Sequence, residues 1–149
     1  MHTALRALAS FILLAALAAC SAGGLPAGLS QRMDQKGAVL DRTQALAIIN
    51  QYRTSTGGAP LVEDTTLDAA ADGLAIQYAS TGKQQPKPAG ALEVRYSAGY
   101  YNFAETFSGW RNSPADSAAL TLATATKAGI AAHFDSNSAY GVYWVLILG

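Results

Sequence analysis

Three carboxylates and one histidine have the residue types that suit reaction chemistry: Glu93, Glu105, Asp116 and His133. Brought together, Glu93, Glu105 and Asp116 would form an oxygen-only cluster. Such donors suit calcium or magnesium rather than zinc. A cation held there would supply a bound water as nucleophile, the chemistry of a metal-assisted hydrolase. The competing reading gives each carboxylate a local task. Glu105 caps a helix or faces solvent, Glu93 is an exposed strand acid, and Asp116 completes a capping box opened by Ser113. The local reading is preferred. An imidazole suits general-base work near neutrality, yet His133 sits in an expected strand, on the face opposite Ile130, Ala132 and Phe134, and reads as structural. No G-x-S-x-G elbow accompanies it. Gly57-Gly58 lacks the strand and lysine of a phosphate loop. No metal and no cofactor is therefore expected.

Cys20 is the only cysteine, so an intrachain disulfide is excluded. Its own chemistry is read from what precedes it. Arg6 and the amino terminus supply positive charge, and Ala7 to Ala19 is an apolar run too short to span a bilayer comfortably. Leu17-Ala18-Ala19-Cys20 then has the aliphatic–small–small–cysteine form of a lipobox. The expectation is a lipoprotein signal peptide over 1–19, cleaved before Cys20, with acyl chains on that thiol and amine anchoring the chain in a membrane. Ser21, where an aspartate would signal inner-membrane retention, favours the outer membrane. The expected location is the cell envelope, facing the periplasm or the exterior.

Loss of 1–19 removes His2 and Arg6 and none of the ten acidic residues. His133 is then the sole imidazole, and a site needing two cannot form within one chain. The near-neutral balance offers no basic field for nucleic acid. The mature length suits one domain with its own core.

The elements that must position these residues follow from periodicity. Residues 20–40, rich in Gly, Ala, Ser and Gln, read as a lipidated cysteine and flexible tether. A first helix is expected from Asp41 or Thr43, burying Ala45, Ile48, Ile49 and Tyr52 and ending at Gly57-Gly58. After an extended link at Leu61-Val62, a second helix over 66–81 presents Leu67, Ala70, Ala71, Leu74 and Tyr78. Lys83 to Ala91 is a proline-containing loop. Leu92, Val94 and Tyr96 alternate with Glu93, Arg95 and Ser97 as a half-buried strand. A third helix over 103–112 buries Phe103, Phe107 and Trp110, and Ser113-Pro114 opens another. The aromatic-dense stretch from Tyr96 to Trp110, with Tyr100 and Tyr101, is chiefly core, with a few rings left to line an apolar cleft. Residues 128–134 and 140–148 form a hairpin, and the second strand is apolar on both faces, so both must be covered.

In their order and wording these segments resemble the CAP superfamily, also called SCP or sperm-coating-protein-like. The resemblance rests on Asn50, Tyr52 and Arg53 with GGAPLVEDTTLDAAADGLAIQYA. It rests also on SAGYYNFAETFSGWRNSPADSAAL and on the tail AGIAAHFDSNSAYGVYWVLILG, and so covers about 41–149. It implies an α+β fold, a three-layer α-β-α sandwich around a central antiparallel sheet. Members with a complete site carry two histidines and two glutamates able to hold a divalent metal. Here Asp116 stands where the second histidine would be. The segment for the first reads KQQPKPAGA, without histidine. Glu105 sits on the helix that would supply one glutamate, and Glu93 stands near the other with its spacing to Gly99 one residue too long. The resemblance thus implies a CAP domain over 41–149 with a degenerate metal site, and lipids or sterol-like molecules as ligands.

The expected function is a non-catalytic envelope lipoprotein, a binding or structural module for a small hydrophobic ligand. The alternatives are the carboxylate hydrolase described above and a protein–protein adaptor using the Lys83–Ala91 loop.

Overall fold

The structure is a computed structural model and describes residues 26–149. The expected signal peptide, Cys20 and Ser21 lie outside the described residues. At the centre is β4 (Val142–Leu148), whose seven residues are all buried. Alternation sends Val142, Trp144, Leu146 and Leu148 into the larger of the apolar clusters. Val145 and Ile147 go the other way, into a second cluster, and Tyr143 joins Tyr78 and Ala79. A strand apolar at every position needs cover on both faces, and the helices supply it.

One face is covered by α3 (Thr65–Thr81), through Ala71, Ala75 and Tyr78. The other face is covered by α1 (Ala27–Ser30), α2 (Arg42–Ser55), α4 (Phe103–Asn112) and α5 (Pro114–Leu120), which contribute Leu29, Ile49, Phe103, Trp110 and Leu120. This is the expected α-β-α sandwich. Between the layers the strand order is β1 (Val62–Glu63), β3 (Lys127–Phe134), β4, β2 (Glu93–Ala98). β3 and β2 both run antiparallel to β4. β1 runs parallel to β3, with Val62 opposite Lys127 and Glu63 opposite Ala128. The sheet is therefore mixed, which corrects the expected antiparallel one. Two residues are too few to carry a period, so the link at Leu61-Val62 gave no sign of pairing.

The helix ends follow local chemistry. The Asp41 carboxylate accepts from the Gln44 amide at 2.9 Å and caps α2. Asp64 caps α3 by accepting from Thr66 and Leu67. Gly82 ends α3 at φ 67°, the left-handed conformation that a Cβ disfavours. Asn50 on α2 donates to the Leu61 carbonyl at 2.9 Å and accepts from the Leu61 amide at 2.7 Å, so it pairs the backbone as a strand would.

Two expectations are corrected. A flexible segment is expected over 20–40, but within its described part, 26–40, Leu29 and Met33 are 2% and 3% exposed in the main core. The Met33 amide also donates to the Tyr101 carbonyl at 2.7 Å. The packed body thus extends before residue 41: two well-spaced apolar side chains in a small-residue context suffice to dock it. On α3 the buried face is rotated from the expected one. Asp68, Ala71, Ala75, Tyr78 and Ala79 are buried, while Leu67, Ala70 and Leu74 are only half-buried. The reason is close approach. At Gly129 on β3 an added Cβ would stand 2.1 Å from the Leu67 carbonyl carbon and 2.2 Å from the Asp68 nitrogen. Only a helix face of small residues can lie this near a sheet.

Asp68 is buried because the edge of β3 needs it. β1 ends at Glu63, and the next outward amide, that of Ile130, donates to Asp68 Oδ1 at 2.8 Å. The Ile130 carbonyl accepts from Arg42 Nε at 2.8 Å. Arg42 also lies 3.7 Å from Asp68 and donates to Asp72 at 2.6 Å. Burial pushes the Asp68 carboxyl above its usual pKa, with the Ile130 hydrogen bond and Arg42 acting in the opposite direction. A carboxyl whose folded pKa exceeds its unfolded value contributes stability below the unfolded pKa and loses it as pH rises through the folded one. Asp68→Asn keeps an acceptor for Ile130 and does not titrate. Urea unfolding at pH 4 and pH 7 is expected to show the variant gaining on the wild type as pH rises; the reverse trend would place the Arg42 pairing above the burial cost.

Candidate functional site

Alternation along β2 puts Glu93 and Arg95 on one face, turned toward the α4–α5 side of the sheet, while Val94 and Tyr96 pack on the α3 side. Arg95 Nη2 donates to Glu93 Oε2 at 2.5 Å. Arg95 Nη1 lies 3.5 Å from Asp116 Oδ1 on α5. One guanidinium thus holds carboxylates from two elements. The Arg95 Nε is buried and has no hydrogen-bond partner.

Asp116 does not complete the expected capping box. Ser113 occupies the N-cap position of α5, with Pro114 following, but makes no side-chain cap hydrogen bond. The ion pair with Arg95 takes the Asp116 side chain instead. Glu105 is elsewhere, in the first turn of α4. Its carboxylate accepts from the Tyr101 amide at 3.2 Å, and its own amide donates to Asn102 Oδ1 at 2.9 Å. Asn102 is thus the N-cap of α4, and the Glu105 carboxylate reaches back to the amide one residue before it, a local capping role. Among the described residues no three of His, Cys, Asp and Glu gather as metal ligands would. The oxygen-only cluster of Glu93, Glu105 and Asp116 is therefore not assembled.

The divalent metal implied by the resemblance can be tested against these residues. They do not fit it. No imidazole is present, and a positive guanidinium already lies between the two carboxylates that come together. His133 is half-buried near the end of β3, opposite Tyr143, and lines a shallow pocket of about 360 Å³ with Lys36 and Asp135.

A separate groove of about 440 Å³ lies between α1, α2 and α4. Leu29, Ile48, Tyr52, Phe103 and Phe107 form its apolar wall, and Arg111 stands at its side. The volume falls in the range of small-molecule sites. Its walls are fixed by packing. The Tyr52 and Phe107 rings meet edge to face at 5.8 Å, and the Tyr52 hydroxyl lies 2.9 Å from Ser117 Oγ on α5. The Arg111 guanidinium sits 5.9 Å above the Phe107 ring. Of the aromatic stretch, Phe103, Phe107 and Trp110 are core, while Tyr100 and Tyr101 are 40% and 43% exposed.

Periodicity and motif spacing give Arg95, Arg53 and Arg111 no role of their own. Arg95 left one usable signal, since it follows Glu93 by two residues on an alternating strand, and two such residues share a face. In the sequence Arg53 stands out only as part of the Asn50, Tyr52, Arg53 run. It is fully buried, and its Nε and both Nη groups donate to the carbonyls of Ala59, Leu120, Leu122 and Ala125.

The fold recurs in solved structures of low sequence identity. An outer surface protein from Borrelia burgdorferi superposes with a TM-score of 0.58 at 18% identity, over 71% of this chain and 90% of that one. An extracellular protein containing an SCP domain, from Bacillus anthracis, gives 0.58 at 15% identity, over 72% of this chain and 39% of that one. The hookworm platelet inhibitor gives 0.54 at 17%, over 83% and 76%. Comparison with curated proteins finds no sequence match. Residues 46–148 match the family model described as CAP, the cysteine-rich secretory protein family. With that match running from α2 to the end of β4, the chain belongs to the CAP family.

Proposed function

We propose that this chain is an exported envelope lipoprotein whose CAP domain binds a small hydrophobic ligand and catalyses no reaction. The observation that carries the non-catalytic part is the pairing of Arg95 with Glu93 and Asp116. A carboxylate engaged by a guanidinium is a poor general base and has its metal-ligating lone pairs directed elsewhere. The metal site is on this reading degenerate. The groove beside Phe103 and Phe107 is the ligand site, with its apolar wall supplying affinity, Arg111 a charged anchor, and Gln51, Ser55 and Ser108 further polar contacts.

Export and anchoring rest on the sequence of residues 1–20. The surface and extracellular descriptions of the structural relatives agree with that location. Among the described residues no helix is long and apolar enough to cross a membrane. On this reading the anchor is the lipid on Cys20, as the lipobox form of Leu17-Ala18-Ala19-Cys20 suggests.

Ala104→Trp tests the groove, because Ala104 lines it and an indole there would fill it. Binding of a fluorescent long-chain fatty acid is expected to weaken at least ~10-fold, the equivalent of about 1.4 kcal/mol. The melting temperature should be retained. Equal binding by wild type and variant would remove the groove as the site. Cys20→Ser is expected to abolish labelling by radioactive palmitate and move the chain from the membrane to the soluble fraction; continued labelling would contradict the anchor.

A further inference from the structure

We infer that, in the anchored protein, the groove between α1, α2 and α4 is occupied by one of the acyl chains borne by Cys20, so that the lipoprotein covers its own ligand site. The inference rests on the groove and the lipid anchor proposed above and names the occupant.

The first described residues run along the rim of that groove. Leu29 of α1 is buried and forms part of the apolar wall. Its amide donates to the Pro26 carbonyl at 2.8 Å, so the chain enters α1 within one turn of the wall. The entry is held from two sides. A Cβ at Gly28 would stand 2.8 Å from Gln44 Oε1, so α1 packs closely on α2. Beyond α1, the Met33 amide donates to the Tyr101 carbonyl at 2.7 Å, and the Arg32 guanidinium lies 4.8 Å from the centre of the Tyr101 ring. These contacts fix the end of the tether beside the groove rather than elsewhere on the domain.

Five residues, Ser21 to Leu25, separate Cys20 from Pro26. Fully extended, that stretch reaches roughly 20 Å. The acyl chains on Cys20 therefore start within reach of the groove. A linker this short holds them there at a roughly millimolar effective concentration, an advantage that no free lipid has. The chemistry also matches. Leu29, Ile48, Phe103 and Phe107 offer apolar contact area, which is what an unbranched hydrocarbon chain needs. A diacylglycerol on the thiol and an amide-linked chain on the amine exceed what anchoring requires, since two chains suffice. One chain can leave the bilayer for the groove while the others hold the protein at the membrane. A domain without Cys20 has no such occupant and stays open to other apolar ligands.

The test uses the full chain, made in bacterial cells fed a long-chain fatty acid that carries a diazirine. The cells are irradiated, and the monomer band is purified and digested with trypsin. Cleavage after Arg32, Arg42, Arg53, Arg95 and Arg111 yields the peptides Cys20–Arg32, Thr43–Arg53 and Tyr96–Arg111. The expected product is the acyl group of Cys20–Arg32 joined to Thr43–Arg53 or to Tyr96–Arg111. Ala104→Trp is expected to keep the label on Cys20 and lose those joins. An acyl group on Cys20–Arg32 that joins only to membrane phospholipid overturns the inference. Groove peptides joined to a labelled lipid that is not attached to Cys20 overturn it too, and leave the groove reading standing. Absence of label from Cys20–Arg32 overturns the anchor reading and the inference with it. Should Ala104→Trp not fold, the wild-type products alone decide among these outcomes.

Discussion

Arg53→Met is expected to lower the free energy of unfolding by about 3–5 kcal/mol, measured by urea denaturation at neutral pH. The guanidinium is fully buried, and burial pushes its pKa below the usual arginine value. It still carries its charge at neutral pH. Its donors reach the Ala59 carbonyl at 2.7 Å, the Leu120 carbonyl at 2.7 Å, the Leu122 carbonyl at 3.1 and 3.2 Å and the Ala125 carbonyl at 3.2 Å. These acceptors lie in the loop before β1, at the last residue of α5 and in the connection from α5 to β3. One side chain thus ties the end of α2 to the end of α5 and to two loops. Methionine would fill much of the space while removing the guanidinium donors from the Ala59, Leu120 and Ala125 carbonyls; Leu122 would keep only the Ala125 amide at 3.2 Å. Arg53→Lys is expected to fall between wild type and Arg53→Met, since an ammonium offers three donors and no planar fork. A loss below about 1 kcal/mol for Arg53→Met would contradict this account of what the N-x-Y-R residues do.

Gly129→Ala is expected to be about as damaging, at 3 kcal/mol or roughly more. The added methyl would lie 2.1 Å from the carbonyl carbon of Leu67, 2.2 Å from the amide nitrogen of Asp68 and 2.6 Å from the Leu67 Cβ. The first two are helix backbone atoms, so no rotamer change can relieve the clash. α3 would have to move off the sheet, and that movement would stretch the Asp68 bond to the Ile130 amide. The expected result is a lowered melting temperature together with loss of amide protection at Ile130 in hydrogen exchange. Gly73→Ala is the control, because nothing lies within 4 Å of a Cβ there; it is expected to be neutral or slightly stabilising. Equal stability of Gly129→Ala and wild type would mean that α3 and β3 lie farther apart than described.

These two positions also show how far the sequence could be read. α2, α3, α4 and the two long strands are legible because each carries a period over many residues, and α5 because Ser113-Pro114 opens it; the four-residue α1 is not. Val142 to Leu148 is apolar at every position, and that alone required cover on both faces. What escaped reading depends on single contacts between distant segments. β1 has two residues and pairs through Thr126 and Ala128, more than sixty positions away. Asp68 looks like any polar residue on a helix, and only the Ile130 amide, left without a strand partner once β1 has ended, makes it a buried one. The rotated face of α3 follows from Gly129, whose role is invisible in its own strand pattern.

The carboxylates tell the same story at the site. Glu105 has a partner within four residues, Tyr101, and its capping role could be read locally. The destination of Asp116 could not, because Arg95 lies on another element. Of the groove, the sequence shows only a few aromatic rings able to line a cleft. Its full wall needs Leu29, from a segment read as tether, and Ile48 from α2.

The most direct test of a metal-free binding domain is native mass spectrometry on the domain from Ser21 to Gly149, isolated from an envelope extract without detergent. The expected result is a reproducible added mass of a small apolar molecule and no divalent metal, with the added mass absent from Ala104→Trp. A stoichiometric divalent ion that survives desalting, or a bare protein mass for the wild type, would contradict the account.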